Sequence, residues 1–525
     1  MKSSVLKLCV WAAMALVWLI GAAGSPTAVK PNILYILCDD LGYGDVKYFN
    51  PDGKLATPNL DRLATQGMSF TEAHSSSAVC SPTRYGILTG RYNWRSRLQK
   101  GVLEGFSPRL IEPGRLTVPA MLQQQGYATA CMGKWHLGMD WPLKRGGIAR
   151  TYDDGWKVDY EKPIRNGPNS IGFDEFFGIS ASLDMPPFVF IENDKVTKAP
   201  TTEKKWVRKG PAAADFEAID VLPTLTHKAV EYLEKRGSAA TREQPFFLYL
   251  ALNSPHTPIL PTKDWAGKSG INAYGDFVMQ TDDAIGQVLA ALDKSGLAEN
   301  TLVIFTSDNG CSPAANFPQL LSKGHNPSYK FRGQKADIYD GGHHIPFIVR
   351  WPGHVKPGSF SDQITCLTDL MATVAAIVGV KLPDGAGEDS VSILPALEGA
   401  VTAPLREAIV HHSIDGSFSI RQGNWKLELC PGSGGWSAPT PKTDTTALPA
   451  IQLYDLSEDI GEKKNVQDQH PEIVARLTKL LDKYVADGRS TPGAQQKNTV
   501  KVDIWKAGRL AHQPKPADPG TEMKD

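Results

Sequence analysis

The chain has 525 residues, 41% hydrophobic and 21% charged, with 56 Lys plus Arg against 56 Asp plus Glu. This composition is ordinary for a soluble globular protein, and the length calls for a large domain plus a smaller one. A formal net charge of zero argues against a general binder of nucleic acid or anionic membrane, so any anion recognition has to come from a few local cations.

The N-terminus reads as a targeting segment. Lys2 and Lys7 make a basic region, Leu8 to Ile20 is apolar, and Gly21-Ala22-Ala23-Gly24 suits signal peptidase. Residues 1–24 are expected to be a cleaved secretory signal; the alternative, an uncleaved anchor, is disfavoured by the short apolar run. A secreted or periplasmic protein with no stable membrane association after cleavage follows. Of seven cysteines, Cys9 leaves with the signal, and Cys38, Cys80, Cys131, Cys311, Cys366 and Cys430 remain. They show no CxxC spacing, so neither a zinc site nor a dense disulfide framework is indicated. Cys38 and Cys131 lie in apolar runs as inert thiols. With Cys80 set aside for chemistry, at least one of the others is unpaired.

Residues 32–37 form an apolar run that reads as a buried strand, ending in Asp39-Asp40. A helix follows over 59–66, stopped by Gly67. Further helices are expected over 117–125, 215–236, 274–292 and 367–378. Strands are expected over 127–132, 246–252, 301–307 and 345–350. Strands alternating with helices imply an α/β sheet covered on both faces. Near residue 405 the pattern changes to short strands at 408–412, 417–421, 425–430 and 451–454, then a helix over 471–485. The expected organisation is a catalytic region over 30–404, a small antiparallel sheet with one helix over 405–505, and a polar tail over 506–525, extended or mobile.

Chemistry concentrates in five places. Cys80-Ser81-Pro82-Thr83-Arg84 follows a Ser-rich stretch, and Pro82 predicts a helix starting just after Cys80. Arg84 then falls one turn on, beside a thiol at a helix N-terminus, which is a favourable anion position. Asp39-Asp40 and Asp308-Asn309 each end an apolar strand, where ligands of open α/β sheets bind. Either pair alone could merely cap a turn. Together they favour a hard cation, calcium or magnesium rather than zinc. Lys134 and His136, two residues apart on extended chain, point one way and combine a cation with a titratable imidazole. His256 stands between Pro255 and Pro258 just past a strand. Lys335 precedes Tyr339-Asp340-Gly341-Gly342.

These motifs together resemble the type I sulfatases, formylglycine-dependent and arylsulfatase-like members of the alkaline phosphatase superfamily. Cys80-Ser81-Pro82-Thr83-Arg84 with Leu88-Thr89-Gly90-Arg91 looks like their signature, and Gly126-Tyr127 leading to Gly133-Lys134-Trp135-His136-Leu137-Gly138 like their second motif. Asp39-Asp40, His256, Ser307-Asp308-Asn309-Gly310 and Lys335 fall in the family's order. The resemblance runs from about Pro31 to the C-terminal region. It implies an alkaline phosphatase-like mixed sheet flanked by helices, with a smaller C-terminal antiparallel sheet plus helix. It also implies that Cys80 becomes formylglycine (3-oxoalanine) through a formylglycine-generating enzyme, and that its hydrate attacks sulfur to give a covalent sulfo-enzyme. Asp39, Asp40, Asp308 and Asn309 would hold one calcium, with position 80 as a further ligand. Arg84 would orient the formylglycine. Lys134 and Lys335 would bind sulfate oxygens, His256 would protonate the leaving oxygen, and His136 would take the proton that releases sulfate. Ser182 stands where the family often has a polar substrate contact, and His325, His411 and His412 are candidates for the alcohol part. The sequence departs from the family at Asp340, where Glu is more usual.

The expected substrate is an O-sulfated sugar or glycan. Tyr92-Asn93-Trp94-Arg95-Ser96-Arg97 could contact a polyhydroxylated ligand, or its aromatics could equally be core. Two rivals remain: a phosphatase or phosphodiesterase of the same superfamily, and a glycan-binding protein inactive because Cys80 is unmodified.

Overall fold

The computed structural model describes residues 30–506 apart from Asp444 and Thr446. The expected signal segment and nearly all of the polar tail lie outside the described residues. Described residues from Asn32 on form one compact unit.

Its centre is a ten-stranded mixed sheet. The strands are β1 (Asn32–Cys38), β2 (Met68–Phe70), β3 (Ala128–Lys134), β4 (Glu175–Ile179), β5 (Ile191–Glu192), β6 (Lys195–Val196), β7 (Phe246–Ala251), β8 (Thr301–Ser307), β9 (Phe347–Arg350) and β10 (Ser359–Ser361). Their order across the sheet is β10-β2-β9-β8-β1-β7-β3-β4-β5-β6. The five central strands from β8 to β4 run parallel, while β9 is antiparallel to β8 and β5 to β4. In β1, Ile33, Tyr35 and Leu37 enter the core on one face, and Leu34, Ile36 and Cys38 the core on the other. Alternation on a strand covered on both faces explains why the sequence reads as one unbroken apolar run.

The covering helices include α1 (Pro58–Thr65), α2 (Cys80–Thr89), α3 (Val118–Gln124), α4 (Val221–Arg236), α5 (Ala273–Lys294) and α6 (Leu370–Ile377). Two boundaries differ from expectation because of proline. A helix starting at 215 would carry Pro223 in its interior; α4 starts at Val221, which leaves Pro223 in the first turn. Strand β9 begins after Pro346, which has no N–H for the ladder. The sequence pattern missed the short edge strands and a separate hairpin, Thr202–Lys205 with Lys209–Ala212.

The C-terminal part is an antiparallel sheet of β11 (Ile409–His412), β12 (Phe418–Gln422), β13 (Trp425–Glu428) and β14 (Gln452–Asp455). Helix α7 (Pro471–Ala486) buries Val474, Leu477, Leu481 and Tyr484, a stripe at helical spacing. Tyr92 and Trp94 belong to this same core and are fully buried, while Arg95 pairs with buried Asp389 at 2.8 Å. Of the two readings open for this aromatic segment, the core reading holds: Tyr92 and Trp94 pack under the C-terminal sheet and its helix. Cys38, Cys80, Cys131, Cys311 and Cys366 are free thiols, and all six described cysteines are buried.

Candidate active site

Strands β8, β1, β7 and β3 are adjacent and parallel, so their carboxyl ends share one edge. Cys38 pairs with Ser307, Leu37 with Ala251, and Ala251 with Gly133. This register delivers Asp39-Asp40, Asp308-Asn309, Lys134 with His136, and the His256 loop to one place. Gly310 follows Asn309 and lies against Gly341; a Cβ there would sit 1.9 Å from the Gly341 carbonyl oxygen. The Gly341-Gly342 pair thus shapes the loop that carries Asn309.

Cys80 opens α2, with Val79 as an extended N-cap and Pro82 inside the first turn. Its Sγ lies 3.5 Å from Asp39 Oδ1. Burial pushes the Cys80 thiol up to about 12, against the pull of Lys134 and Lys335. As a thiol it is protonated at neutral pH and a poor nucleophile. Arg84 is fully buried. It donates to Asp308 Oδ2 from Nε and Nη2 at 3.0 and 2.8 Å, and to the Lys134 carbonyl from Nη1 at 3.0 Å. One fork thereby ties α2 to two strand ends.

Lys134 Nζ donates to both Asp39 oxygens, at 2.9 and 2.8 Å. Lys335 Nζ reaches the Asp40 carboxylate at 2.7 Å. Burial alone would raise the Asp39 carboxyl, but Lys134, His256, Arg84 and Lys335 hold it far below the usual range. Three carboxylates and three permanent cations thus share a nearly dry pocket, where charge interactions are strong. Asn309 Nδ2 donates to Asp40 Oδ1 at 2.8 Å, while Asn309 Oδ1 is buried with no partner. Three carboxylates plus an orphaned amide oxygen are an all-oxygen donor set, and it fits a hard divalent cation. Asp39, Asp40, Cys80 and His256 also present ligand atoms within 4.8 Å of one another.

The two histidines are held differently. His136 has a left-handed backbone (φ 56°), so the extended-chain argument for its direction fails. It still comes close enough to Lys134 to feel its charge. Burial first, then Lys134, drives its basicity well down, so the ring is neutral. Its Nε2 donates to the Leu103 carbonyl at 2.7 Å, and its Nδ1 is buried without a partner. His256 Nδ1 donates to the Thr257 carbonyl at 2.6 Å, and Nε2 stands 3.6 Å from Asp40 Oδ2. Ser182 Oγ touches the His256 ring at 3.3 and 3.4 Å.

Every residue singled out from the sequence as nucleophile, cation, imidazole or metal ligand meets here, and Ser182 joins them. His325, His411 and His412 do not. His325 is fully buried and donates to Asp45 at 2.8 Å. His411 stacks on His343 at 3.7 Å between ring centroids, and His412 is buried against Phe418. Asp340 also points elsewhere, to Lys426 at 2.8 Å. Two residues escaped sequence reasoning. Asn253 follows β7 with both polar side-chain atoms buried and unpartnered, and Ser180 follows β4 with an unpartnered Oγ. Their signal was position directly after a central strand, but single Asn and Ser residues are too common in loops to stand out.

Fold and site together define a hydrolase of the alkaline phosphatase-like class, with an anion pocket built of fixed cations. The sulfatase family model matches residues 31–380. N-acetylgalactosamine-6-O-sulfatase of Bacteroides thetaiotaomicron is 35% identical over 500 residues, covering 86% of this chain and 93% of that protein. Human arylsulfatase A is 32% identical over 505 residues, covering 90% of this chain and 92% of its own. A solved structure from a study of glycosaminoglycan metabolism by Bacteroides thetaiotaomicron superposes with a TM-score of 0.75 at 34% identity, covering 87% of this chain and 99% of that one. A sulfatase from Pseudoalteromonas, at 22% identity and a TM-score of 0.65 over 93% of this chain and 94% of its own, shares the fold. The chain belongs to the sulfatase family and is a sulfuric ester hydrolase.

Proposed function

We propose that the chain is an exported, calcium-dependent sulfatase that cleaves O-sulfated sugars or glycans through formylglycine at position 80. The observation that carries this reading is a buried, protonated Cys80 acted on by Lys134 and Lys335, with its Sγ 3.5 Å from Asp39 and within 4.8 Å of a His256 ring nitrogen. Such a cysteine is unsuited to thiol chemistry, and its surroundings suit an anion. The glycan reading is supported by the relatives named for N-acetylgalactosamine 6-sulfate and by the structure tied to glycosaminoglycan metabolism. Residues 1–24 are proposed to direct export to the periplasm or beyond, and a formylglycine-generating enzyme to mature Cys80. Residues 30–404 are assigned as the catalytic region and 405–505 as the smaller C-terminal domain. Among the described residues no helix is long and apolar enough to cross a membrane.

Formylglycine, as its hydrate, supplies one hydroxyl for attack on sulfur and a second for release of sulfate. Asp39, Asp40, Asp308 and Asn309 would hold calcium, whose charge opposes that of the non-bridging sulfate oxygens. Lys134 and Lys335, already anchored by Asp39 and Asp40, add positive charge for the same oxygens. Arg84 keeps Asp308 and the end of β3 in place. His256 has Nδ1 committed to Thr257, which leaves Nε2 to carry a proton beside Asp40 and give it to the leaving alcohol. His136 has Nε2 committed to Leu103, which leaves Nδ1 as the base.

Two measurements test the reading. Intact-peptide mass spectrometry across Cys80 in active protein should show the aldehyde or its hydrate; a pure thiol would overturn the mechanism. Nitrophenyl sulfate should be hydrolysed in preference to nitrophenyl phosphate; the reverse would make the chain a phosphatase.

A further inference from the structure

Three loops meet beside the two catalytic histidines. Leu103 accepts from His136, and Ser182 touches His256. Between them, a Cβ on Gly105 would lie 1.9 Å from the Pro186 carbonyl oxygen. Pro186 in turn covers Gly210 of the hairpin Thr202–Lys205 with Lys209–Ala212, where a Cβ would meet it at 2.5 Å. The hairpin is pinned by Trp206, edge-on to Phe188 at 4.7 Å between centroids. Its turn therefore brings Arg208 to the Ser182 loop. Arg208 donates its backbone N–H to the Asp184 carbonyl at 3.2 Å. Its guanidinium pairs with the Asp184 carboxylate and lies 5.9 Å from the centre of the Tyr152 ring.

Two atoms in this group have no partner. Asp184 is only 8% exposed, yet its Oδ1 is unsatisfied, and the buried Tyr152 Oη is unsatisfied as well. Orphaned buried polar atoms cost a fold on the order of 1–3 kcal/mol each, and they call for an explanation. Nothing in the sulfate chemistry uses them. Arg208 is 43% exposed at its side chain and has N–H groups beyond the one given to Asp184. Glu104 stands near enough to act on Arg208 electrostatically. Two carboxylates against one guanidinium leave the group net negative, so it does not attract a second sulfate or a uronate. A carboxylate oxygen, a guanidinium and a phenol suit neutral hydroxyls, which donate and accept.

We propose that Tyr152, Asp184 and Arg208 bind neutral hydroxyl groups of the sugar ring that carries the scissile sulfate, and select against a second anion there. This rests on the sulfated-sugar reading above. The test compares wild type, Arg208→Ala and Asp184→Asn on nitrophenyl sulfate, on the best substrate from a panel of monosulfated hexoses and hexosamines, and on its disulfated counterpart. Both variants should lose about 10- to 100-fold in kcat/KM on the monosulfated sugar, the effect of one hydrogen bond to a charged group. Nitrophenyl sulfate turnover should stay within about twofold, because that probe lacks the hydroxyls. Asp184→Asn should narrow the preference for the monosulfated over the disulfated sugar. The proposal is overturned by equal losses on both kinds of substrate, by no loss on the sugar, or by a wild type that prefers the disulfated form. Wild type that cleaves the aryl sulfate but no sugar overturns this site and leaves the sulfate chemistry standing; wild type that cleaves neither overturns both. Arg208→Ala also leaves the Asp184 carboxylate without its cation, so all rates are taken well below each variant's measured thermal midpoint.

Discussion

Among the described residues two fully buried clusters bring potential metal ligands together, beside a partly buried third of Glu72, His74 and His344, and the two behave in opposite ways. One is the catalytic pocket. The other lies against the C-terminal sheet, where His74 and His343 meet His411 of β11 and offer ligand atoms within 4.8 Å. In the second cluster the hydrogen bonds close on themselves apart from His411 Nε2. Lys426 gives its protons to the Ile338 carbonyl, Asp340 and Glu462 at 3.0, 2.8 and 2.6 Å. His343 Nε2 donates to Ile338, which leaves its Nδ1 to accept from His74 Nδ1 at 3.1 Å. His74 Nε2 then accepts from Arg421. The rings of His343 and His411 are stacked 11° from parallel. A metal takes an imidazole lone pair in the ring plane, and two parallel rings have no common point in both planes. The imidazole cluster is therefore a polar joint against the C-terminal sheet. Both clusters keep an orphaned atom, Asn309 Oδ1 and His136 Nδ1 in the pocket and His411 Nε2 in the joint; the pocket differs in its converging oxygen donors and in the fixed cations around Cys80.

Each side of this contrast can be broken. In the pocket, Cys80→Ser should lower nitrophenyl sulfate turnover on the order of 10³-fold or more while leaving the thermal midpoint intact. A serine could accept the sulfate but lacks the second hydroxyl that expels it; full activity in the variant would refute the assignment. In the joint, Lys426→Met should do the reverse. Leaving Asp340 and Glu462 buried without their cation should cost about 3–5 kcal/mol in denaturant unfolding, with activity per folded molecule unchanged. Calcium sharpens the contrast further. Chelation should lower both activity and thermal midpoint, and restoring calcium at about 100 times its Kd should return about 2.7 kcal/mol.

The contrast also explains what the sequence disclosed. Central strands announced themselves because burial on both faces forces unbroken apolar runs, and the residues that follow them are where α/β sheets bind ligands. Asp39, Asp308, Lys134 and His256 were found by that rule, and the resemblance supplied their roles. The joint was not legible. His74 lies 269 residues before His343, with His411 farther on still, and only the packing of the C-terminal sheet brings them together. His411 was taken for a substrate contact because an isolated histidine in sequence carries no sign of what covers it. Tyr92 and Trp94 stayed undecided in the same way, since aromatic residues near Arg serve a core and a sugar site equally well. Asp184 and Arg208 lay in loops with no periodicity, and their meaning came from an unpartnered atom that only coordinates reveal.

The smallest expected effect concerns pH. Burial, with Lys426 and the neighbouring imidazoles of His343 and His74, holds His411 neutral well below its usual range, against the weaker pull of Asp340. His74 is likewise lowered, to about 4, by burial and His344. A histidine with a depressed folded pKa contributes fully above its unfolded value near 6.5. That contribution is lost as pH falls toward the folded value, because the unfolded chain binds the proton first. The joint should therefore weaken between about pH 6.5 and 4. His411→Phe keeps the stack on His343 and removes both the unpartnered Nε2 and the Nδ1 contact to Ser419. At pH 7 these losses oppose each other, and the change should stay within about 1 kcal/mol. Below pH 6 the variant has one proton fewer to take up on unfolding, so its stability should fall less steeply than that of wild type. Parallel pH slopes for the two proteins would show that His411 is protonated inside the fold, and the joint would then not be a neutral stack.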